Sequence, residues 1–360
     1  METIAVLTSG GDAPGMNAAI RAVVKVCAAR GIRVLGVEGG YEGLIDGKMT
    51  PLTRPTRKGF VPTRAVQDHG NTGGTFLGSA RSKRFMTPEG RAEAEQTLRG
   101  FGVGGLVVIG GNGSLTGARY LSEETGFPTV GIPATIDNDV GCTASAIGVD
   151  TALNTIVEAC DRISDTAAAF KRAFIVEVMG RHSGYLATTA AVATAADAVL
   201  LPSHDRSADE VVETTSALIR AAFAADRDKS RVLIMKAEGM DVPASLLARR
   251  LEEALEDTEI DVRATVLGHV QRGGAPSSFD RMIAGRMGLI AVEALLAGQS
   301  GVGVVWQATV EGGNETSDPQ LRTFSLADIL AETEAMNDGT SPVVEWRKQR
   351  MEAIQGVLAL

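Results

Sequence analysis

Residues 128–141 read PTVGIPATIDNDVG. The apolar run 128–133 has the length and composition of a buried strand, and the small and polar residues after it form the loop at that strand's carboxyl end. In an open parallel sheet, ligands sit at such loops. Thr135, Asp137 and Asp139 follow one another at intervals of two and cannot all point one way on such a loop. That suits a division of labour in which one carboxylate removes a proton and the other helps to hold a cation or a partner side chain. An Asx-rich turn explains the stretch equally well when it is read alone.

The chain on either side decides between them. Towards the N-terminus, an apolar strand over 3–8 (TIAVLT) runs into SGGDAPGMN (9–17) and then a helix over 18–30. A second strand, 33–38, ends in GGYEG (39–43), and a third, 105–109, ends in GGNGS (110–114) ahead of a helix that starts near 115. Strand, glycine turn and helix aim main-chain N–H groups and a helix N-terminus at an anion. One such unit is common without a ligand; three on one sheet edge beside the aspartate loop point to a phosphate-binding site. The turn GGTFLGSAR (73–81) leads into Arg81, Lys83 and Arg84, a basic cluster that a polyphosphate explains. The run 52–70, with Arg54, Arg57, Lys58 and Arg64, reads as a solvated surface loop, and 88–101 as a helix.

Towards the C-terminus the alternation continues. A long helix spans 148–171, with strands over 172–179, 198–201, 232–235 and 263–267 and helices over 185–196, 208–225 and 243–256. The segment 311–319 reads as a loop, and the charged tail from Glu345 as helical. Short turns between alternating strands and helices predict a doubly wound, mainly parallel α/β sheet in each half. Arg172, Arg181, Arg263 and Arg272 fall at or beside strand ends, with Glu238 and His269. Such a set can clamp a sugar phosphate.

Three hundred and sixty residues exceed what one core comfortably serves, so two domains are expected. The 44% hydrophobic and 22% charged residues are those of an ordinary globule. A net charge of -9 argues against general affinity for nucleic acid or an anionic membrane. The 42 glycines, against three tyrosines and two tryptophans, suit a fold that meets phosphates with main chain. Cys27, Cys142 and Cys160 are odd in number and widely spaced, which disfavours a disulfide framework. The N-terminus carries no basic-then-apolar leader, and no apolar run nears the ~20 residues of a membrane span. The cytoplasm is the expected location. A polyphosphate edge, a sugar-phosphate clamp and a carboxylate between them describe a phosphoryl transferase that works by positioning and charge neutralisation.

The motifs LTSGGDAPGMN (7–17), GGTFLGSAR (73–81), TIDND (135–139), EVMGR (177–181) and ATVLGHVQRGG (264–274) closely resemble those of 6-phosphofructokinase of the bacterial ATP-dependent type. The likeness runs in the same order over about residues 3–300. It implies a phosphofructokinase-like fold with a nucleotide-binding domain over 1–148 plus 263–310 and a sugar-phosphate-binding domain over 149–262 plus 311–360. It further implies transfer of the γ-phosphoryl of ATP to the 1-hydroxyl of fructose 6-phosphate, with Mg2+ as cofactor. Asp137 is then the general base, while Thr135, Arg181 and Asp139 assist the transfer. Gly10, Tyr41, Arg81, Ser82, Gly111, Asn112, Gly113 and Ser114 hold the nucleotide. Met179, Gly180, Glu238, His269 and Arg272 hold the sugar phosphate, and Arg172 and Arg263 reach in from a neighbouring subunit of a homotetramer. An effector site for a nucleotide or phosphoenolpyruvate falls on Arg21, Lys25, Arg54, Asp197, Arg227 and Lys229, although Ser164 stands where an effector-binding arginine is usual.

Two departures matter. Pyrophosphate-dependent relatives usually carry an aspartate at Gly113 and a lysine at Ala134; the small residues here leave room for a nucleotide and favour ATP over pyrophosphate. The family's magnesium-binding aspartate is Asn112 in this chain, which brings no charge to a hard cation. Three explanations follow: magnesium held through ATP and another acid such as Asp139 or Asp12, a weakly active or regulatory sugar-phosphate-binding paralogue, or a deliberately altered sequence. The segment after about Arg322 exceeds the short bacterial pattern and is not explained by it.

Overall fold

The computed structural model describes residues 1–202, 207–224, 229–347 and 349. They divide into two compact units, Met1–Thr151 with Arg272–Ser341, and Ala152–Gln271 with the C-terminal segment from Pro342.

The first unit is built on an eight-stranded sheet in the order Asn314–Glu315, Leu321–Ser325, Val302–Trp306, Thr129–Pro133, Gly105–Gly110, Thr3–Ser9, Arg33–Val37, Met49–Pro51. The five strands from Val302–Trp306 to Arg33–Val37 are parallel, and the flanking ones antiparallel. Every residue of the three central strands is buried, which is why each reads as an unbroken apolar run rather than an alternation. From Thr3–Ser9 the chain moves one way to Arg33–Val37 and later returns on the other side to Gly105–Gly110. The strand order therefore reverses between Thr3–Ser9 and Gly105–Gly110, and open α/β sheets bind ligands at that place. Leu7, Val108, Leu115, Leu326 and Ile329 share one core cluster.

The second unit has a four-stranded parallel sheet, Val262–Val266, Ala173–Val178, Val232–Ala237, Ala198–Leu200. Ile175, Ile234, Leu247 and Leu251 form its core with helices Ala208–Ala222 and Ala244–Ala254. Lys236, fully buried, stands opposite Glu177 in the register and pairs with it at 2.8 Å. Ser207 and Glu210 close a reciprocal capping box on the first of those helices.

The α/β class and the parallel sheets agree with the reading from sequence; the boundaries differ in four places. Strand Val262–Val266 hydrogen-bonds to Ala173–Val178, so 263–271 belongs to the second unit. Leu321–Ser325 pairs with Val302–Trp306, which assigns 311–341 to the first. The glycine cluster at 39–43 opens a short helix, Gly40–Ile45. The expected loop over 52–70 is a hairpin, Thr53–Thr56 with Gly59–Pro62, followed by helix Arg64–His69. Of the C-terminal tail, 342–347 are helical. Among the described residues no helix is long and apolar enough to cross a membrane, and all three cysteines are free and buried.

Candidate active site

At the switch point, Ser9 lies opposite Gly110, so the turns after the two strands sit side by side. Their approach explains one of the glycines. A Cβ at Gly110 would stand 2.5 Å from both the Ser114 hydroxyl and the Ser9 carbonyl. Gly10 has φ +83°, which favours glycine, and its carbonyl accepts a 2.6 Å hydrogen bond from Ser79 of the 73–81 turn. Helix Asn112–Thr125 begins there with Gly111 as its cap, so its unpaired amides open onto the turns. A Cβ on Gly113 would meet nothing within 4 Å. Tyr41 is turned inward: it is 5% exposed, its ring stacks on Phe85 at 3.8 Å, and its hydroxyl donates to the Ser114 carbonyl at 2.6 Å. Burial pushes its phenol well above the usual value. Tyr41 thus supports the Gly111–Ser114 turn from beneath.

The aspartate loop is held just as closely. Ala134 donates to the Gly110 carbonyl and Thr135 to that of Ile147, while the Asp137 amide donates to the Thr135 hydroxyl at 3.2 Å. Asn138 takes a left-handed backbone, φ +48°, which asparagine tolerates. Its amide donates to the Ala144 carbonyl at 3.1 Å and its oxygen accepts from the Ala146 amide at 3.0 Å. Thr135 and Asp137 are buried and Asp139 half-buried. Arg272 approaches from the 268–274 turn; its Nη2 is 4.0 Å from Asp137 Oδ1 and its Nη1 donates to the Asp12 carbonyl at 3.1 Å. Gly73 packs backbone to backbone on Gly274. Asn17 anchors that turn, donating to the Gly73 carbonyl and accepting from the Phe76 amide at 2.9 Å. The first unit therefore gathers Gly10 to Asp12, the 73–81 turn, Gly111 to Ser114, Thr135 to Asp139 and Arg272 on one sheet edge.

Asn112 opens its helix with both ends of its amide engaged. Nδ2 donates to the Asp139 carbonyl at 3.1 Å, and Oδ1 faces the Thr333 hydroxyl at 3.3 Å. That oxygen is thus turned towards helix Leu326–Asp338, and the amide suits a hard cation poorly. Asp12 and Asp139, half-buried carboxylates on the same sheet edge, have the donor chemistry that such a cation prefers. Sequence reasoning left Thr333 out, since nothing local marks a threonine in an amphipathic helix. Ser79 and Asn17 lay within motifs but without a role.

The basic cluster is divided. Arg84 bonds Glu42 at 3.0 Å, Asp46 at 2.8 Å and Glu93 at 3.1 Å, whereas Arg81 and Lys83 are exposed. Ser82 bonds Glu42. The Ser82 hydrogen bond, and then Arg84, hold the Glu42 carboxyl below its usual range.

In the second unit, Arg181 is exposed in a left-handed backbone, φ +50°, and its amide donates to Glu238 at 2.9 Å. Gly180 precedes it at φ +118°. The Met179 amide donates to the buried Gln271 side chain at 3.2 Å, and His269 is exposed. Asp261 bridges Arg172 at 2.6 Å and Arg263 at 2.9 Å, setting the two guanidiniums side by side at the sheet edge. Of the expected effector residues, Arg21 donates to Asn71 at 2.8 Å, and Lys25 and Arg54 are exposed in the first unit. Asp197 pairs with Lys229 in the second; Arg227 lies outside the described residues.

The family model for phosphofructokinase matches residues 3–295. An ATP-dependent 6-phosphofructokinase of Thermotoga neapolitana is 47% identical over 311 residues, which cover 85% of this chain and 90% of that protein. One from Bacillus pumilus is 46% identical over 84% of this chain and 88% of its own. Among solved structures, phosphofructokinase from Saccharomyces cerevisiae superposes with a TM-score of 0.81 at 31% identity, covering 98% of this chain and 50% of that one. A pyrophosphate-dependent phosphofructokinase from Marinobacter aquaeolei, at 21% identity and TM-score 0.74 over 91% of this chain and 84% of that one, shares the fold.

Proposed function

This chain belongs to the phosphofructokinase family, and from that premise we propose that it is a glycolytic kinase. It transfers the γ-phosphoryl of ATP to the 1-hydroxyl of fructose 6-phosphate, giving fructose 1,6-bisphosphate and ADP. The observation that carries the reading is the gathering of the aspartate loop, three glycine turns and Arg272 at the switch point of the main sheet.

Asp137 accepts the proton of the attacking hydroxyl, and Thr135, which fixes the Asp137 backbone, steadies the transferring group with Arg181 and Asp139. Gly10, Arg81, Ser82 and the Gly111 to Ser114 turn hold the nucleotide, with Tyr41 as their support. Met179, Gly180, Glu238, His269 and Arg272 hold the sugar phosphate, and Arg172 and Arg263 complete a neighbour's site. Asp12 and Asp139, rather than Asn112, would be the carboxylates to hold Mg2+, which would screen the phosphate charge of the nucleotide. ATP is favoured over pyrophosphate by the open space at Gly113 and by relatives named as ATP-dependent. The chain self-associates to a homotetramer; exposed Val266 and Val270, with strand Val262–Val266 at the sheet edge among the described residues, suit self-association without setting the number of subunits. The first domain is the nucleotide-binding one and the second the sugar-phosphate one, in the cytoplasm, with an anionic effector held by residues including Arg21, Lys25 and Arg54.

A coupled assay with fructose 6-phosphate and either ATP or pyrophosphate tests the reading. Turnover with ATP is expected; turnover with pyrophosphate alone moves the enzyme to the other donor class. Ligand-dependent thermal stabilisation without product identifies a non-catalytic sensor.

A further inference from the structure

The helix Leu326–Asp338 is seated directly on the aspartate loop. A Cβ at Gly141 would stand 2.4 Å from the Ile329 carbonyl and 2.6 Å from the Thr333 nitrogen, so no gap separates helix and loop. Into this contact Thr333, 5% exposed, places its hydroxyl. The oxygen accepts the Gly141 amide at 2.8 Å, and the single proton serves either the Ile329 carbonyl at 2.8 Å or Asn112 Oδ1 at 3.3 Å. Across from it, Asn112 donates to the Asp139 carbonyl at 3.1 Å. Two side chains that face each other thus grip the loop on either side of the buried Val140, one by a carbonyl and the other by an amide.

We propose that Thr333 is a positioning residue for phosphoryl transfer, acting with Asn112 to fix the 139–141 backbone and, through it, the directions of Asp139 and Asp137. Packing alone would be served by valine, which has the same shape. A buried hydroxyl is retained at a desolvation cost unless it is bonded, and without it the Gly141 amide loses its partner. Asn112 fits the same logic: its side-chain amide carries the proton that the Asp139 carbonyl accepts. Helix Leu326–Asp338 on this account positions the aspartate loop, although it touches no reacting atom.

The proposal rests on the reading of Asp137 and Asp139 as working groups, and the test separates the two. Parental turnover of ATP and fructose 6-phosphate tests the reading; the ratio of variant to parent tests the proposal. Thr333→Val is expected to lower kcat about tenfold to a hundredfold, the scale of small misplacements in an active site. KM for both substrates should stay within about threefold, and Thr333→Ser should restore kcat to within about twofold. Hydrogen exchange of peptides spanning 138–142 should quicken in the valine variant and not in the serine one, a readout that stands even for a parent without turnover. Thr333→Ala, which removes the same hydroxyl without adding bulk, serves if the valine variant does not fold; it too should lose about tenfold or more in kcat. Parental kcat in Thr333→Val, equal loss in Thr333→Ser, or unchanged exchange overturns the proposal.

Discussion

The guanidinium of Arg272 stands 4.0 Å from the carboxylate of Asp137, with side-chain exposures of 13% and 4%. The same guanidinium bonds the Asp12 carbonyl, so one planar fork ties the first glycine turn to the aspartate loop. Asp137→Asn keeps the shape and removes the proton acceptor. Its kcat should fall by about 10²–10⁴, with KM little changed. Arg272→Lys keeps the charge but cannot span both contacts, and a smaller loss in kcat/KM is expected. Steady-state kinetics of the two variants against the parent checks both.

Gly11 lies under that fork. An added Cβ would come within 2.9 Å of Arg272 Nη1, and the movable guanidinium, not the backbone, should give way. Gly11→Ala should therefore fold with stability within about 0.5 kcal/mol of the parent and lose turnover by roughly tenfold. Thermal melting beside kinetics decides; a large loss of melting temperature would falsify the account.

Burial pushes the thiols of Cys27 and Cys142 to about 12 and that of Cys160 to about 11. Thiolate is the reactive form. At neutral pH a thiol-specific chromogenic reagent should release almost no colour from the folded protein and three equivalents after denaturation. Fast labelling of the native protein would contradict the burial.

Arg286 holds the Asp318 carboxyl below its usual 3.8 and also lies over the Trp306 ring at 4.6 Å. For a lowered carboxylate pKa the stabilisation is present above the unfolded value and is lost as pH falls through the folded one. Arg286→Met should accordingly cost on the order of 1–2 kcal/mol at pH 7, with the gap to the parent narrowing below about pH 4. Urea unfolding at several pH values measures it; a gap that widens in acid sinks the assignment.

Much of this was legible beforehand. The apolar strands at 3–8, 105–109 and 128–133 announce themselves because a parallel sheet covered on both faces demands continuous hydrophobic runs, and the turns after them mark the binding edge. What stayed hidden depends on partners distant in sequence. Helix Ser278–Leu296 is buried on many sides, with Ile283, Met287, Ile290 and Leu295 all inside, so no polar stripe marks it. The hairpin at Thr53–Thr56 and Gly59–Pro62 is short and largely solvated, which resembles a loop in composition. Arg84 has the sequence setting of a phosphate ligand, but its three carboxylate partners, Glu42, Asp46 and Glu93, engage it only in the fold. Sequence alone marks Asn112 as a metal position with its charge missing; the Thr333 hydroxyl that faces it lies 221 residues away.

The eight-stranded sheet takes its far neighbours from the end of the chain, since Val302–Trp306 pairs with Thr129–Pro133. During synthesis the outer side of Thr129–Pro133 waits for a partner that emerges about 170 residues later, on the order of ten seconds or more at the usual pace of translation. An open apolar strand edge is a template for wrong pairing. The nascent polypeptide thus carries this edge unprotected until Val302–Trp306 has emerged.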